Sequence, residues 1–170
     1  MNSEIRTIQK EDNPFIAKII RDTLTEFKAN KPGTVFFDES TDRLSELFSV
    51  PKSMYYICMI DGRIVGGAGI YPTDGLPNDT CELVKMYILP DARGKGLGKA
   101  LINTCVEFAQ QQGYKKIYLE TMPELARAVS VYEQLGFTSL SHSLGNSGQF
   151  GCAIWMLKEI VTTQHNTDYK

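Results

Sequence analysis

A glycine-rich, basic segment, DARGKGLGKALI at residues 91–102, has the clearest capacity for chemistry in this sequence. It combines three glycines with three basic side chains, which are Gly94, Gly96, Gly98, Arg93, Lys95 and Lys99. An amphipathic helix is predicted to begin within it, at about Gly96. The first N–H groups of a helix lack partners inside the helix, and the helix dipole favours negative charge there. Since glycine also lets a ligand approach the backbone closely, the segment is predicted to bind an anion such as phosphate.

Two familiar phosphate-binding motifs are excluded by counting residues. A P-loop has glycine five residues before its Gly-Lys pair and Ser or Thr directly after that pair. Here Arg93 stands in the first position and Ala100 in the second, and alanine cannot bind magnesium. The dinucleotide fingerprint needs its third glycine where this chain has Lys99. The sequence therefore disfavours a nucleotide-phosphate enzyme.

The pattern R/Q-x-x-G-x-G/A does fit, with Arg93, Gly96 and Gly98 in register. It resembles the acetyl-CoA pyrophosphate loop of the GNAT N-acetyltransferase superfamily. The preceding ELVKMYILPDA resembles the fourth strand of that family, and AVSVYEQLGF resembles its second signature, in which a helix supplies a tyrosine ahead of Leu-Gly-Phe. The order of the predicted strands and helices also matches that of the family, so the resemblance covers residues 3–158.

The resemblance implies acetyl-CoA as co-substrate and assigns a set of residues to it. The backbone of the loop would hold the pyrophosphate, through Arg93, Gly94, Lys95, Gly96, Leu97, Gly98 and Lys99. The strand backbone at Met86, Tyr87 and Ile88 would pair with the pantetheine amides as an added strand does, and the Met86 N–H would polarise the thioester carbonyl. Family members often have asparagine seven residues before the tyrosine. Leu125 occupies that position here, so the contact is either absent or supplied by Ser130.

The implied reaction is direct acetyl transfer to an amine, without a covalent enzyme intermediate. Tyr132 is the candidate acid for the departing thiolate, because thiols have a pKa of about 8.5, although a purely core role for this tyrosine stays open. Glu82 is the candidate base for the amine. On a strand of period two it shares a face with Val84, Met86 and Ile88, which would align it with the acyl site. Glu120 is the alternative base, and a substrate that arrives neutral would need none.

The acceptor side is less determined by the sequence. Phe36, Phe37 and Tyr71 are candidates to line the acceptor pocket, while His142 is an exposed histidine without an assigned role. The expected partner is a small-molecule amine or a peptide N-terminus, and the chain is a monomer or a homodimer. A non-catalytic acyl-CoA-binding sensor is the alternative function, since it keeps the loop but does not need Glu82 or Tyr132.

Composition restricts the remaining functional classes. The net charge of −2 argues against a general nucleic-acid or membrane-surface binder, which would carry a basic excess. The four cysteines have no C-x-x-C pair, so we expect reduced, buried thiols, no metal site and a cytoplasmic location. No apolar run approaches the length of a membrane span.

The order of the predicted strands and helices, together with the family resemblance, indicates an α/β fold. We expect a mixed six- to seven-stranded sheet flanked by about four helices. Asp61-Gly62 joins two apolar runs as a hairpin turn does. Strand 80–90, helix 96–112 and strand 115–120 form a parallel crossover, and a further helix begins at Pro123. With 170 residues, we expect a single GNAT domain over residues 1–160 and a flexible tail over 161–170.

Overall fold

Seven strands form one sheet in the computed structural model, which describes residues 1–146 and 154–161. The strands are β1 (Ser3–Thr7), β2 (Met54–Ile60), β3 (Arg63–Tyr71), β4 (Thr80–Ile88), β5 (Lys116–Thr121), β6 (Thr138–Ser139) and β7 (Ile154–Glu159). The helices are α1 (Asn13–Glu26), α2 (Leu44–Leu47), α3 (Leu97–Gln111) and α4 (Ala126–Gln134). The spatial order of the strands is β1-β2-β3-β4-β5-β7-β6. The predicted α/β class, with its mixed sheet and about four helices, is confirmed.

The β2–β3 hairpin turns at the predicted dipeptide. Asp61 and Gly62 both have positive φ, at 48° and 81°, as a type I′ turn requires. This turn type matches the right-handed twist of the strands that it joins. The hairpin begins the antiparallel half of the sheet, which also includes β1 and β4.

The β4–α3–β5 crossover gives the sheet its parallel pair. Thr80, Cys81 and Glu82 pair with Lys116, Ile117 and Tyr118. Beyond Glu82 the two strands no longer pair, although β4 continues to Ile88 and β5 to Thr121. An opening therefore lies between them within the sheet.

Helices cover both faces of the sheet and divide the core in two. On one face α1 packs against β3, β4 and α2, in an apolar cluster that includes Ile20, Leu44 and Tyr55. On the other face α3 packs against β3 and β4 through residues such as Leu101 and Cys105. The amphipathic pattern of each helix is thus satisfied by one side of the sheet.

Several element ends differ from the predictions. The spacing of apolar residues predicts a first helix over residues 12–29, but α1 ends at Glu26, and Lys28 has a φ of 56°, which terminates the helix. A 3-10 turn over Pro123–Leu125 precedes α4, so the α-helix begins at Ala126. The segment CAIWMLK predicts the last strand, and its first residues, Cys152 and Ala153, lie outside the described residues, as does the predicted tail from residue 162 onward.

Burial and helix length bear on two further expectations. Cys58, Cys81 and Cys105 are buried free thiols, as predicted, whereas Cys152 lies outside the described part of the chain. Within residues 1–146 and 154–161, none of the helices is long and apolar enough to span a bilayer.

Candidate active site

The glycine loop and the start of α3 form an anion-binding end. Gly94 and Gly96 have φ of 74° and 79°, a region that glycine occupies without steric cost, and a Cβ on either would meet no atom within 4 Å. Gly96 is the N-cap of α3 and supplies no side-chain cap. The open space and the uncapped N–H groups at this end fit a pyrophosphate. Gly98 differs, because a Cβ there would lie 3.3 Å from Met86 Cε.

Arg93 is engaged with protein groups in this structure. Its Nε donates to the Ile88 carbonyl at 2.9 Å, and its two terminal nitrogens donate to Glu26 at 2.6 and 3.3 Å. The guanidinium also lies over the Phe27 ring, 5.0 Å from its centroid. Arg93 lines the cavity, but its side chain joins the loop to the end of α1.

A β-bulge interrupts β4 at Lys85. Gly67 pairs with Tyr87 but Gly69 pairs with Val84, so β4 holds one extra residue between these positions. Lys85 has a φ of 52°, and the buried Tyr55 hydroxyl donates to its carbonyl at 2.7 Å. The bulge breaks the regular pairing beside the predicted pantetheine-binding residues.

The bulge overturns the predicted alignment of β4. Because one residue is inserted, Val84 and Tyr87 pack with the α1–α2 cluster, whereas Met86 and Ile88 pack with the α3 cluster. The expectation that Glu82 and Val84 share a face with Met86 and Ile88 is therefore wrong. A strict period of two holds only up to the bulge.

A single cavity of about 650 Å³ passes through the opening between β4 and β5. It is lined at one end by Gly94, Gly96, Gly98 and Lys99, and at the other by Tyr71, Thr73 and Glu82. Met86, Tyr87, Ile88, Leu97 and Tyr132 line it as well. The cavity thus brings both candidate catalytic residues and most predicted cofactor contacts together.

Glu82 lies in this cavity with 4% of its surface exposed. The Thr73 hydroxyl donates to its Oε1 at 2.6 Å. Burial, with a smaller contribution from the nearby Glu120, raises the pKa of Glu82 to about 7, although the Thr73 hydrogen bond opposes the rise. At neutral pH the side chain exists in both protonation states, which suits proton transfer.

Glu120, the alternative base, also lines the cavity. Its Oε2 accepts a hydrogen bond from the Tyr118 hydroxyl at 2.7 Å, and that hydroxyl accepts one from the Leu144 N–H at 3.0 Å. Burial and the neighbouring Glu120 raise the pKa of Tyr118. Glu120 therefore accepts a hydrogen bond from the tyrosine whose hydroxyl also binds the loop at Leu144. Glu82 is the more deeply buried of the two carboxylates.

Tyr132 approaches the cavity from α4, on the opposite face of β4 from Glu82. It is 7% exposed, packs edge-on against Phe137, and points its hydroxyl at Met86 Sδ over 3.8 Å. Burial raises its pKa, so the phenol stays protonated at neutral pH. The ring belongs to the core while the hydroxyl reaches the cavity wall, and both interpretations of Tyr132 fit this position.

Two predicted contacts lie away from the cavity lining. Ser130 is exposed and does not line the cavity, and Lys95 is exposed too. Ala128, Val131 and Tyr132 are the α4 residues that face inward, with Arg127. Ser130 lies two residues before Tyr132 on the same α-helix, which is about 200° around the helix axis, and it therefore points outward.

The predicted acceptor residues are only partly brought together. Tyr71 lines the cavity, but Phe36 and Phe37 do not, and Phe37 is 59% exposed. His142 is exposed and contacts Ser141.

Lys85 and Asp38 are two further residues of the site, and the sequence did not indicate them. The Lys85 Nζ donates to Asp38 Oδ2 at 3.2 Å, and both residues line the cavity. Lys85 directly precedes Met86, so a lysine beside the proposed acyl site could be read from the sequence. That its side chain points into the cavity depends on the bulge. In the described residues, no cluster of three or more His, Cys, Asp or Glu side chains could hold a metal ion.

Comparison with known proteins gives a consistent result. Residues 14–137 match the Acetyltransferase (GNAT) family. The chain is 41% identical over 158 residues to a protein of Escherichia coli (strain K12) named "Uncharacterized N-acetyltransferase YjgM", covering 92% of this chain and 94% of that one.

Solved structures agree with this fold. A GNAT-family acetyltransferase from Staphylococcus aureus Mu50 superposes with a TM-score of 0.83 at 16% identity, over 93% of this chain and 99% of that one. The PaiA N-acetyltransferase from Thermoplasma acidophilum, solved in complex with coenzyme A, has a TM-score of 0.69 at 17% identity, over 94% and 100% of the two chains. The chain described here belongs to the GNAT acetyltransferase family and is an acyltransferase.

Proposed function

We propose that this protein is an N-acetyltransferase that moves the acetyl group of acetyl-CoA to a primary amine by direct attack in a ternary complex. The acceptor is a small molecule or a peptide N-terminus. The observation that carries the proposal is one cavity joining the α3 N-terminus, Tyr132 and the buried Glu82. The donor and acceptor ends meet at the opening between β4 and β5.

The donor end fits coenzyme A in shape and charge. Acetyl-CoA would supply an activated thioester there. The uncapped start of α3 offers N–H groups to the pyrophosphate, and Lys99 adds positive charge. Arg127, which also lines the cavity, is a further donor for an anionic group of the cofactor.

Glu82 would accept a proton from the attacking amine. A protonated lysine-like amine has a pKa of about 10.4 and is not a nucleophile. A carboxylate with a pKa of about 7 is a stronger base than an ordinary glutamate and is still ionised in half of the molecules at that pH. The ammonium first loses one proton to solvent, and the neutral amine then attacks the carbonyl carbon. As the new bond forms, the nitrogen gives a second proton to Glu82, either directly or through one water.

The backbone around the bulge would stabilise the charge that develops on the carbonyl oxygen. The extra residue in β4 frees N–H groups from the ladder with β3, and the N–H of Met86 is the candidate. Aligned donors at this position are worth about 3 kcal/mol in comparable oxyanion sites.

Tyr132 would protonate the departing sulfur. As the carbon–sulfur bond breaks, the electron pair goes to sulfur and the phenol proton follows it. The contact of this hydroxyl with Met86 Sδ shows that a sulfur atom is accommodated at that distance. The proton held by Glu82 then returns to Tyr132 through solvent, and the cycle closes.

Thiol release from acetyl-CoA, measured against amines, amino acids, polyamines, aminoglycosides and peptide N-termini, tests the proposal. We expect Glu82→Gln and Tyr132→Phe each to lower the rate by about 100-fold or more while acetyl-CoA still binds. Tyr56→Phe is the matched control, because Tyr56 packs on Phe108 outside the cavity lining. Acetyl-CoA binding without turnover of any acceptor would favour the sensor, and normal rates in both variants would refute the two assigned roles.

A further inference from the structure

Lys85 lines the half of the cavity that contains Tyr71, Thr73 and Glu82, which we call the acceptor half. Both its burial and its backbone conformation there are unfavourable in free energy. Its side chain is 5% exposed, and a buried ammonium loses the hydration that it has in water. Its φ of 52° is in the left-handed region, where glycine or asparagine is favoured and a lysine is strained. Two penalties at one residue indicate a function for the charged side chain there.

The contact with Asp38 compensates Lys85 only in part. The distance of 3.2 Å is long for a charge-assisted hydrogen bond, and the Asp38 side chain is 31% exposed. Asp38 Oδ1 is already bound by the Ser40 N–H and hydroxyl, at 3.0 and 2.7 Å. An ammonium carries three donors, and this is the one hydrogen bond that Lys85 Nζ makes among the described residues. Asp38 thus holds the ammonium in position while donors remain for a ligand.

A second polar group of the same cavity has no hydrogen-bond partner in the described part of the chain. Thr23 on α1 is 5% exposed and lines the cavity, and its Oγ1 has no hydrogen-bond partner among the described residues. A buried hydroxyl without a partner costs about 1–3 kcal/mol. This cost is recovered if a ligand offers an oxygen to Thr23, as a carboxylate does.

Charge is arranged with opposite signs along the acceptor half of the cavity. Glu82, Glu120 and Asp74 are acidic, and Lys85 lies three residues beyond Glu82 on β4. The other basic residues of the cavity lining belong to the glycine loop, the start of α3 and α4: Arg93, Lys99 and Arg127. A substrate with only positive groups would leave Lys85 facing a cation, whereas a zwitterion meets a partner at each end.

We propose that the acceptor is an amino acid, whose amine is directed to Glu82 and whose carboxylate binds the Lys85 ammonium. This inference rests on the proposed N-acetyl transfer and names its substrate class. Lys85 is then the specificity-determining residue, Asp38 positions it, and the Thr23 hydroxyl is a second donor to the substrate oxygens. Polyamines, which the acidic side chains alone would attract, are disfavoured.

Matched substrate triplets test the proposal on the unmodified protein. Each triplet contains an L-amino acid, its carboxamide and its decarboxylated amine, for example phenylalanine, phenylalaninamide and phenethylamine. Lysine and cadaverine add the comparison with a diamine. We expect kcat/KM for the amino acid to exceed that of both analogues by at least about 10-fold. Equal or better use of the carboxamides, the amines or the diamine would overturn the assignment.

Variants of Lys85 then connect the preference to this side chain. Lys85→Met should raise KM for the amino acid by about 10–100-fold and leave KM for the decarboxylated amine unchanged, and Lys85→Arg should restore part of the difference. Lys115→Met, at an exposed position, is the control. An equal loss on all members of the triplet would mean that Lys85 is structural. If Lys85→Met does not fold, the triplets and Lys85→Arg still decide.

The failure of this proposal is distinguishable from the failure of the proposed function. Acetylation of amines but not of amino acids would refute the amino-acid acceptor and leave the N-acetyltransferase intact. Bound acetyl-CoA with no acetylation of any triplet, polyamine, aminoglycoside or peptide N-terminus would refute both.

Discussion

Replacing Glu82 with glutamine should remove activity and stabilise the fold. Glutamine keeps the oxygen that accepts the Thr73 hydrogen bond but removes the charge that burial penalises. The pKa of Glu82 rises from 4.5 to about 7 in the folded protein. Each pKa unit corresponds to about 1.4 kcal/mol, so ionising this buried carboxyl costs about 3 kcal/mol of folding free energy.

The sign of the pH dependence follows from the same shift. Between pH 4.5 and about 7 the folded protein binds more protons at Glu82 than the unfolded chain does. The wild-type stability therefore falls as the pH rises through this window, whereas that of Glu82→Gln does not fall for this reason. The advantage of the variant should grow by about 2–3 kcal/mol between roughly pH 5 and pH 8.

Urea unfolding near those two pH values gives the free energy of unfolding of each protein. The difference between wild type and variant at each pH cancels the titration of all other groups. Glu107→Gln, at an exposed position on α3, is the control and should show no comparable trend. The activity of the wild type should rise with pH through about 7 as Glu82 ionises. A stability difference that stays constant with pH would refute the assignment of this raised pKa to Glu82.

Three further experiments test the backbone and the loop. Gly66→Ala should destabilise the fold by about 2 kcal/mol or more in urea unfolding, because its Cβ would collide with the Tyr87 carbonyl oxygen. Gly96→Ala, at a φ of 79°, should cost about 1 kcal/mol and weaken acetyl-CoA binding measured by calorimetry. Arg93→Ala and Glu26→Ala should be non-additive by up to about 1 kcal/mol in a double-mutant cycle, because they remove the same ion pair. Full additivity there would contradict the tie between α1 and the loop.

The glycine loop was predictable because its signals are local. The φ values of Gly94 and Gly96, and the start of α3 at Leu97, depend on residues within a few positions of one another. The Asp61-Gly62 turn is predictable for the same reason.

The bulge at Lys85 was not predictable from β4 itself. Neither glycine nor asparagine marks the left-handed position, and an alternating pattern without the bulge is equally compatible with the sequence. The indirect signal was the run of glycines in β3, which predicts the close approach of a neighbour. At Gly66 that neighbour is the carbonyl of Tyr87, directly beyond the bulge. The bulge accompanies this tertiary contact between β3 and β4, which the sequence of β4 alone does not encode. The directions of Lys85 and of the β4 side chains after it follow from the bulge.

The outward direction of Ser130 was predictable from helical spacing. Ser130 was selected as a substitute for the asparagine that Leu125 replaces, and it lies two residues before Tyr132. Because two residues of an α-helix turn by about 200°, Ser130 points away from the side of Tyr132. Ala128, four residues before Tyr132, lines the cavity together with it.

The division of β4 into two faces has a consequence for how this enzyme can change over time. Glu82, Val84 and Tyr87 lie with α1 and α2, whereas Met86 and Ile88 lie with α3. Apart from Tyr87 and the end of α1 that holds Arg93, substitutions on the α1–α2 side can therefore accumulate with little effect on the packing around the glycine loop. Under the proposed function, a duplicated copy of this chain could acquire a different acceptor through those positions and keep the proposed acetyl donor.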